Sequence, residues 1–173
     1  MTTSGKPDKQ RLIFGLFLIV FIIIGELTLH YFHLPAWPAF MCMIFFFLSH
    51  MDTKLIPNII VGGIFGIVCL IADFMFIKAI APIIGVEPAK LIFIAILVFL
   101  IVAFGEMLPI IFNNYAFTFF IFAGLSSKLP DTNMYVLMGV TLIGGSVMIA
   151  GVLGIIKLMG LLMEKKEEAE QTS

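Results

Sequence analysis

The chain has 173 residues, of which 61% are hydrophobic and only 12% are charged, and its net charge is −1. A soluble globular domain of this length carries about twice that share of charged residues, so the composition excludes a soluble fold and predicts an integral membrane protein. The near balance of ten Lys and Arg against eleven Asp and Glu also argues against a nucleic-acid partner, which attracts strongly basic chains.

The charges leave long uncharged stretches between the two ends of the chain. Residues 12–25, 55–72, 91–105 and 134–156 contain no charged side chain. About 18–20 apolar residues are enough to span the hydrocarbon core of a bilayer. We therefore expect a cytoplasmic N-terminal tail over residues 1–11, a single transmembrane domain over 12–163 and a cytoplasmic C-terminal tail over 164–173. The lipid bilayer is the first predicted partner.

The pattern predicts an all-α fold with six apolar segments. They cover residues 12–29, 36–48, 55–81, 89–112, 115–125 and 134–162. The second and fifth are too short to cross comfortably as straight helices, which rise about 1.5 Å per residue. If they cross, each half has three passes and the halves are inverted; if they re-enter, each half has two passes and the halves are parallel. We favour crossing, and both arrangements place the two termini in the cytoplasm.

The two halves of the chain contain matching short motifs, which indicates an internal repeat. Residues 39–49 align with residues 116–126, and six of those eleven positions are identical. The other matches, in the same order in both halves, are Gly25-Glu26 with Gly105-Glu106, Asp52-Thr53 with Asp131-Thr132, and Gly62-Gly63 with Gly144-Gly145. We therefore predict a duplication, with repeat 1 at about 12–81 and repeat 2 at about 89–162, each of them long-short-long.

Two motifs carry a resemblance to a known family. With Trp37-Pro38-Ala39-Phe40, and with Phe122-Ala123-Gly124 followed by Asp131, the chain resembles the YcdZ-type family of small bacterial inner-membrane proteins, which is grouped as a domain of unknown function. The resemblance extends over nearly the whole chain as the repeated long-short-long pattern. It implies a location in the bacterial inner membrane and assigns no catalytic or binding residues.

Three carboxylates inside apolar segments are candidates for a substrate or ion path. Glu26 and Glu106 occupy matching places in the repeat, so they are expected to lie near the pseudo-twofold axis, where they share a proton or bind a cation. The alternative is that each lies near a helix end and reaches the lipid headgroups. Asp73 has no counterpart in the other half, and it faces either a cavity or an interface. A carboxylate on a spanning helix is costly, so such groups usually have a function.

Amides and small residues complete the candidate set. Asn113 and Asn114 precede the second short segment, where they either cap a helix or contact a polar solute. Gly62-x3-Gly66 and Ser146-x3-Ala150-x3-Gly154 give two long helices a face of small residues. Such faces permit close helix contact, either within the bundle or between copies in a homo-oligomer, and the remaining alternative is that they line a pore.

These residues favour a small membrane channel or transporter for a small solute or ion, with its path between the two repeats. The alternative is a non-transporting membrane scaffold or accessory subunit. A polar stripe through the interior favours transport, whereas a closed apolar interior favours the scaffold. No cofactor, metal site or enzymatic activity is predicted, because the spacing of His, Cys, Ser and Asp supports neither a metal cluster nor a catalytic triad.

Overall fold

A computed structural model describes residues 9–171, with side chains up to residue 162, and this part of the chain is helical without strands. We number the helices α1 to α6. They are α1 (Lys9–Tyr31), α2 (Trp37–Leu48), α3 (Ile56–Ile84, after a 3₁₀ turn at Thr53–Leu55), α4 (Val86–Phe104), α5 (Asn114–Ser126) and α6, which joins Met134–Gly139, a π-helical turn at Val140–Gly144 and Gly145–Gln171.

Among the described residues, four helices are long and apolar enough to cross a membrane, as expected for a membrane protein. They are α1, α3 with its preceding turn, α4 and the part of α6 that ends at Leu162. The apolar helices α2 and α5 have only 12 and 13 residues. At 1.5 Å per residue they are about 18–20 Å long, which is shorter than the hydrocarbon core of about 30 Å.

The helix predicted over residues 89–112 ends eight residues early, so that prediction was wrong for residues 105–112. α4 stops at Phe104, whose carbonyl accepts hydrogen bonds from the N–H groups of Met107 and Leu108 in a turn. Pro109 explains the early end, because proline has no N–H and its ring clashes with the carbonyl four residues earlier. As a consequence, Glu106 lies in a turn, while Glu26 lies within α1.

Two helices form the centre of the bundle. Over an apolar stretch of 18 residues in each long helix, 50% of the residues are buried in α3 and 39% in α6, against 6% in α1 and 11% in α4. α5 and α4 pack against α3, while α2 and α1 pack against α6. Each central helix is therefore covered by one short helix and one long helix.

Glycines allow the short helices to lie against the central ones. A Cβ built on Gly66 would fall on the carbonyl oxygen of Ala116 in α5, and one built on Gly63 would lie 2.9 Å from the Phe119 ring. On the other central helix, a Cβ on Gly145 would lie 2.5 Å from the sulfur of Cys42 in α2. Larger residues at these positions would separate the helices.

The interior between these helices is apolar. Aromatic rings connect the two short helices, with the Trp37 and Phe45 rings at 5.7 and 6.1 Å from the Phe119 ring. Among the residues whose side chains are described, Asp73 and Thr141 are the buried polar ones. The Thr141 hydroxyl donates to the Leu137 carbonyl oxygen at 2.8 Å. Asp73 is therefore the exception that needs an explanation.

Candidate functional site

Asp73 lies in the middle of an apolar helix and is almost completely buried. Its side chain is 3% exposed, and its Oδ1 atom has no hydrogen-bond partner. It lies eleven residues before the end of α3 at Ile84, which corresponds to about 17 Å along the helix axis. A buried carboxylate is stable only when a proton, a cation or hydrogen-bond donors compensate for the lost water. This makes Asp73 the leading candidate for a functional group.

Lys90 is a basic residue on α4, the helix that packs against α3. Lys90 lies near the start of α4, and its side chain is exposed. α3 and α4 form an antiparallel hairpin through Gly85, so a lysine early in α4 lies towards the α3 end that follows Asp73. The long lysine side chain can extend along the helix surface. The arrangement therefore combines a buried carboxylate with an accessible cation.

Aromatic rings of α3, α4 and α5 pack together about one helical turn after Asp73. The Phe76 ring of α3 lies 5.7 Å from the Phe93 ring of α4, and Phe93 stacks at 6.2 Å on Phe120 of α5. α3, α4 and α5 therefore meet next to Asp73. Apolar walls exclude water, which strengthens any electrostatic interaction that the carboxylate makes.

The two glutamates predicted to lie together are both exposed, and neither reaches the buried interior. Glu26 borders a shallow groove of about 290 Å³, in which its neighbours include Ile22, Leu27 and Phe40. Glu106 lies in the turn that follows α4. Both glutamates therefore lie on the surface of the bundle, whereas Asp73 is buried within it.

Asn113 caps α5 and also joins three parts of the bundle. Its Oδ1 atom accepts the N–H of Ala116 at 2.9 Å, and its Nδ2 atom donates to the carbonyl oxygens of Asn58 and Pro109 at 3.2 and 2.8 Å. Asn58 in α3 also donates to Pro109, at 3.0 Å. Of the two roles expected for Asn113, these contacts are those of a cap. The Asn114 side chain next to it is exposed.

We expect Asn113→Ala to destabilise the protein by about 1–2 kcal/mol, because it removes the cap and the bonds to two other segments. Asn114→Ala, at the exposed neighbouring position, is the matched control and should change the free energy of unfolding by less than about 0.5 kcal/mol. Thermal unfolding in detergent measures both. Equal effects of the two substitutions would contradict the structural role of Asn113.

The two small-residue faces differ in their surroundings. Gly62 and Gly66 are buried against α5, and a Cβ on Gly62 would lie 2.6 Å from Oδ1 of Asn113. These glycines therefore serve packing within the bundle. Ala150 and Gly154 are exposed on α6, and a Cβ on Gly154 would contact nothing within 4 Å.

The π-helical turn in α6 is a feature that the sequence analysis missed. Next to it, the thiol of the buried Cys42 lies 3.8 Å from the carbonyl oxygen of Thr141, within the range of a weak hydrogen bond to sulfur. π-helical turns are rare and occur often at functional sites. Gly139 and Gly145 flank the turn and Gly144 is its last residue, but glycines alone do not distinguish it from an ordinary helix.

Within the described part of the chain, no group of three or more His, Cys, Asp or Glu side chains lies together in a way that suits a metal ion. The cysteines Cys42 and Cys69 are free thiols, both of them buried.

No protein-family model matches the chain, and no match is found among curated proteins or solved structures. The functional argument therefore depends on the residues themselves.

Proposed function

We propose that this protein is a transporter for a small solute or ion, and that Asp73 binds the coupling ion, a proton or an alkali cation. The observation that carries the proposal is the burial of Asp73 in α3 without a hydrogen-bond partner for Oδ1. Ionisable residues in membrane-spanning helices are costly, and they commonly belong to ion pathways and proton relays.

Lys90 gives this site a second charge. It lies exposed near the start of α4, which packs against α3 as a hairpin. A cation that enters the site competes with Lys90 for the carboxylate, whereas a proton removes the attraction between the two groups. Either event changes the interaction between α3 and α4, which is the coupling between ion binding and helix movement that a transporter needs.

The closed apolar interior is the one expected for a scaffold, and among proteins that transport it favours a carrier over an open channel. The core between the helices is apolar, and its buried polar side chains, among those described, are Asp73 and Thr141. A carrier occludes its site between two openings, so a closed bundle is one of its expected states.

The two predicted repeats are the proposed framework for this movement. Their support comes from matching contacts: α2 packs on α6 as α5 packs on α3. Moreover, Gly145 faces Cys42 and Gly63 faces Phe119, and both members of each contact occupy matching positions of the sequence repeat. We propose that the halves are inverted, that both termini are cytoplasmic and that the protein resides in the bacterial inner membrane.

Reconstituted vesicles test the role of Asp73. The full-length chain is placed in liposomes that contain a pH-sensitive dye, and gradients of sodium or potassium are imposed one at a time. We expect at least one gradient to drive a proton movement through the wild-type protein. Asp73→Asn keeps the size of the side chain but removes its charge, so it should reduce the signal to that of protein-free vesicles.

The control for this experiment is Asp52→Asn. Asp52 caps the turn before α3 through a 2.9 Å hydrogen bond from the N–H of Lys54, and asparagine caps as well as aspartate does. This variant should transport like the wild-type protein. A signal that persists in Asp73→Asn, or a wild-type signal that never exceeds that of empty vesicles, would overturn the proposal.

A scaffold or accessory subunit is the second candidate, and the position of Glu26 favours it. Glu26 is exposed on α1 among apolar neighbours, where contact with lipid tails would be costly. A partner protein on this face would cover the carboxylate. Absence of ion movement in the wild-type protein, together with loss of a co-purifying partner in Glu26→Ala, would favour this role.

A further inference from the structure

The apolar core around Asp73 contains few oxygen atoms that could bind a cation. Among the residues whose side chains are described, Thr141 is the other buried polar one. A Cβ on Gly145, one helical turn after Thr141, would lie 3.1 Å from Ile60 of α3. Ile60 precedes Asp73 by thirteen residues, which is about 20 Å along the helix. Thr141 is one turn from this contact, so it lies at least about two helical turns away from the carboxylate.

The helices next to Asp73 use their backbone carbonyls in their own hydrogen bonds. α3 is continuous from Ile56 to Ile84, and α4 is continuous from Val86 to Phe104. Pro82 inside α3 removes the hydrogen bond to the Lys78 carbonyl, but Lys78 lies about 140° around the helix axis from Asp73. Transporters that bind sodium commonly use unwound helices, whose free carbonyls coordinate the ion. The unbroken helices at Asp73 do not supply such carbonyls.

The charged groups on the helices that pack against α3 are exposed and do not enclose Asp73. The charged and titratable residues on these helices, up to Leu162, are Glu87 and Lys90 on α4, Tyr115 on α5, Cys42 on α2, and Tyr135 and Lys157 on α6. Cys42 faces Thr141 of α6, and the ring of Tyr115 packs on Phe45 of α2. Among the described residues, no buried countercharge therefore balances an ionised Asp73.

The two candidate ions make different demands on this site. Binding of a proton forms one O–H bond on the carboxylate and cancels its charge, and no other ligand is needed. An alkali cation must exchange its hydration shell for several oxygen atoms of the protein. An isolated carboxylate in an apolar interior is neutralised in preference to staying ionised. The closed site around Asp73 therefore meets the demand of the proton and not that of the alkali cation.

We propose that Asp73 carries a proton in this closed state, and that an alkali cation reaches the carboxylate only after the surrounding helices have opened. The proposal rests on the proposed transport function, since it names the ion that the same site holds. The proton removes the charge that would otherwise draw water between α3 and α4, so it stabilises the closed bundle. Loss of the proton is then the event that opens the site.

Cys69 is a native reporter of this opening. It is a buried free thiol on α3, four residues before Asp73, so the two side chains lie on one face of the helix, about one turn apart. Reaction of Cys69 with N-ethylmaleimide, located by peptide mass spectrometry, therefore reports access to the site. The second buried free thiol, Cys42, faces α6 and serves as the internal reference.

Infrared spectroscopy tests for the proton itself. The full-length protein is purified in a detergent without ester groups, in choline chloride at a pH of about 7, at which exposed carboxyl groups are ionised. We expect the carbonyl band of a protonated carboxyl group, which moves to lower frequency in D₂O. The band should be lost in Asp73→Asn and unchanged in the control Asp52→Asn, whose carboxylate is exposed.

Sodium or potassium chloride then replaces choline chloride at the same pH. We expect the band to persist while Cys69 stays unreactive. Any loss of the band should be accompanied by reaction of Cys69, with Cys42 still protected, because the cation enters only an opened site. Loss of the band with Cys69 still unreactive would show that an alkali cation replaces the proton in the closed site, and it would overturn the proposal.

Two further outcomes would overturn it: absence of the band from the wild-type protein in choline chloride, and persistence of the band in Asp73→Asn. The liposome assay separates these results from the transport function. Ion movement without the band would keep Asp73 in transport but remove the proton from the closed state. The band without ion movement would support the proton on Asp73 and overturn its role in transport.

Discussion

Gly66→Ala is expected to destabilise the protein by about 1–3 kcal/mol or more, which is the cost of forcing one additional methyl group into a packed interface. The new Cβ would fall on the carbonyl oxygen of Ala116 and lie 2.9 Å from the backbone nitrogen of Phe120. Both are backbone atoms of α5, so no side-chain rotation can relieve the overlap. The two helices must separate along the most extensive helix contact of the bundle.

The matched control, Gly154→Ala, should have the opposite effect. A Cβ at Gly154 contacts nothing within 4 Å, and alanine favours the helix over glycine by about 1 kcal/mol. Cys42 and Cys69 are buried free thiols. They become accessible when the protein unfolds, so the reaction of a thiol-specific fluorescent dye during heating gives the unfolding temperature without an introduced cysteine. Equal unfolding temperatures for the two variants would contradict the packing of α3 against α5.

Asp73→Leu is expected to stabilise the protein while abolishing ion movement. Leucine replaces a carboxylate whose Oδ1 has no hydrogen-bond partner, so the substitution removes an uncompensated desolvation cost of about 1–3 kcal/mol. The side chains are of similar size, which limits strain. Active sites commonly retain groups that lower stability because function requires them.

Two measurements on the same variant separate the possible roles of Asp73. The thiol-dye assay gives the unfolding temperature, and the liposome assay gives the ion movement. Higher stability with lost flux supports an ion-binding role. A lower unfolding temperature would show that Asp73 makes a stabilising interaction, and unchanged flux would remove it from the transport path.

The helical character of this chain could be predicted because it follows from local composition. Uncharged stretches of membrane length predict apolar helices wherever they occur in the fold, and α1, α3, α4 and α6 all have the required length. The boundary after Phe104 was missed because apolar residues continue to Phe112. Hydrophobicity does not distinguish a helix from a turn, and Pro109 ends the helix before the apolar residues end.

The roles of the polar residues depended on tertiary contacts that no local pattern contains. Glu26 and Glu106 were favoured because they match in the repeat, yet both are exposed. Asp73 has no counterpart in the other repeat, and it is the carboxylate that is buried in the structure. The inverted repeat, the YcdZ-type resemblance and the homo-oligomer stay predictions.

By itself, the sequence determined that this chain forms apolar helices and belongs in a membrane, because those properties are sums over neighbouring residues. Only the tertiary structure decided which carboxylate is buried, that Gly62 and Gly66 face α5, and that a cleft remains beside the π-helical turn of α6. The physical reason is that burial and close contact arise between residues far apart in the chain, so they depend on how the helices pack and not on the composition of any one helix.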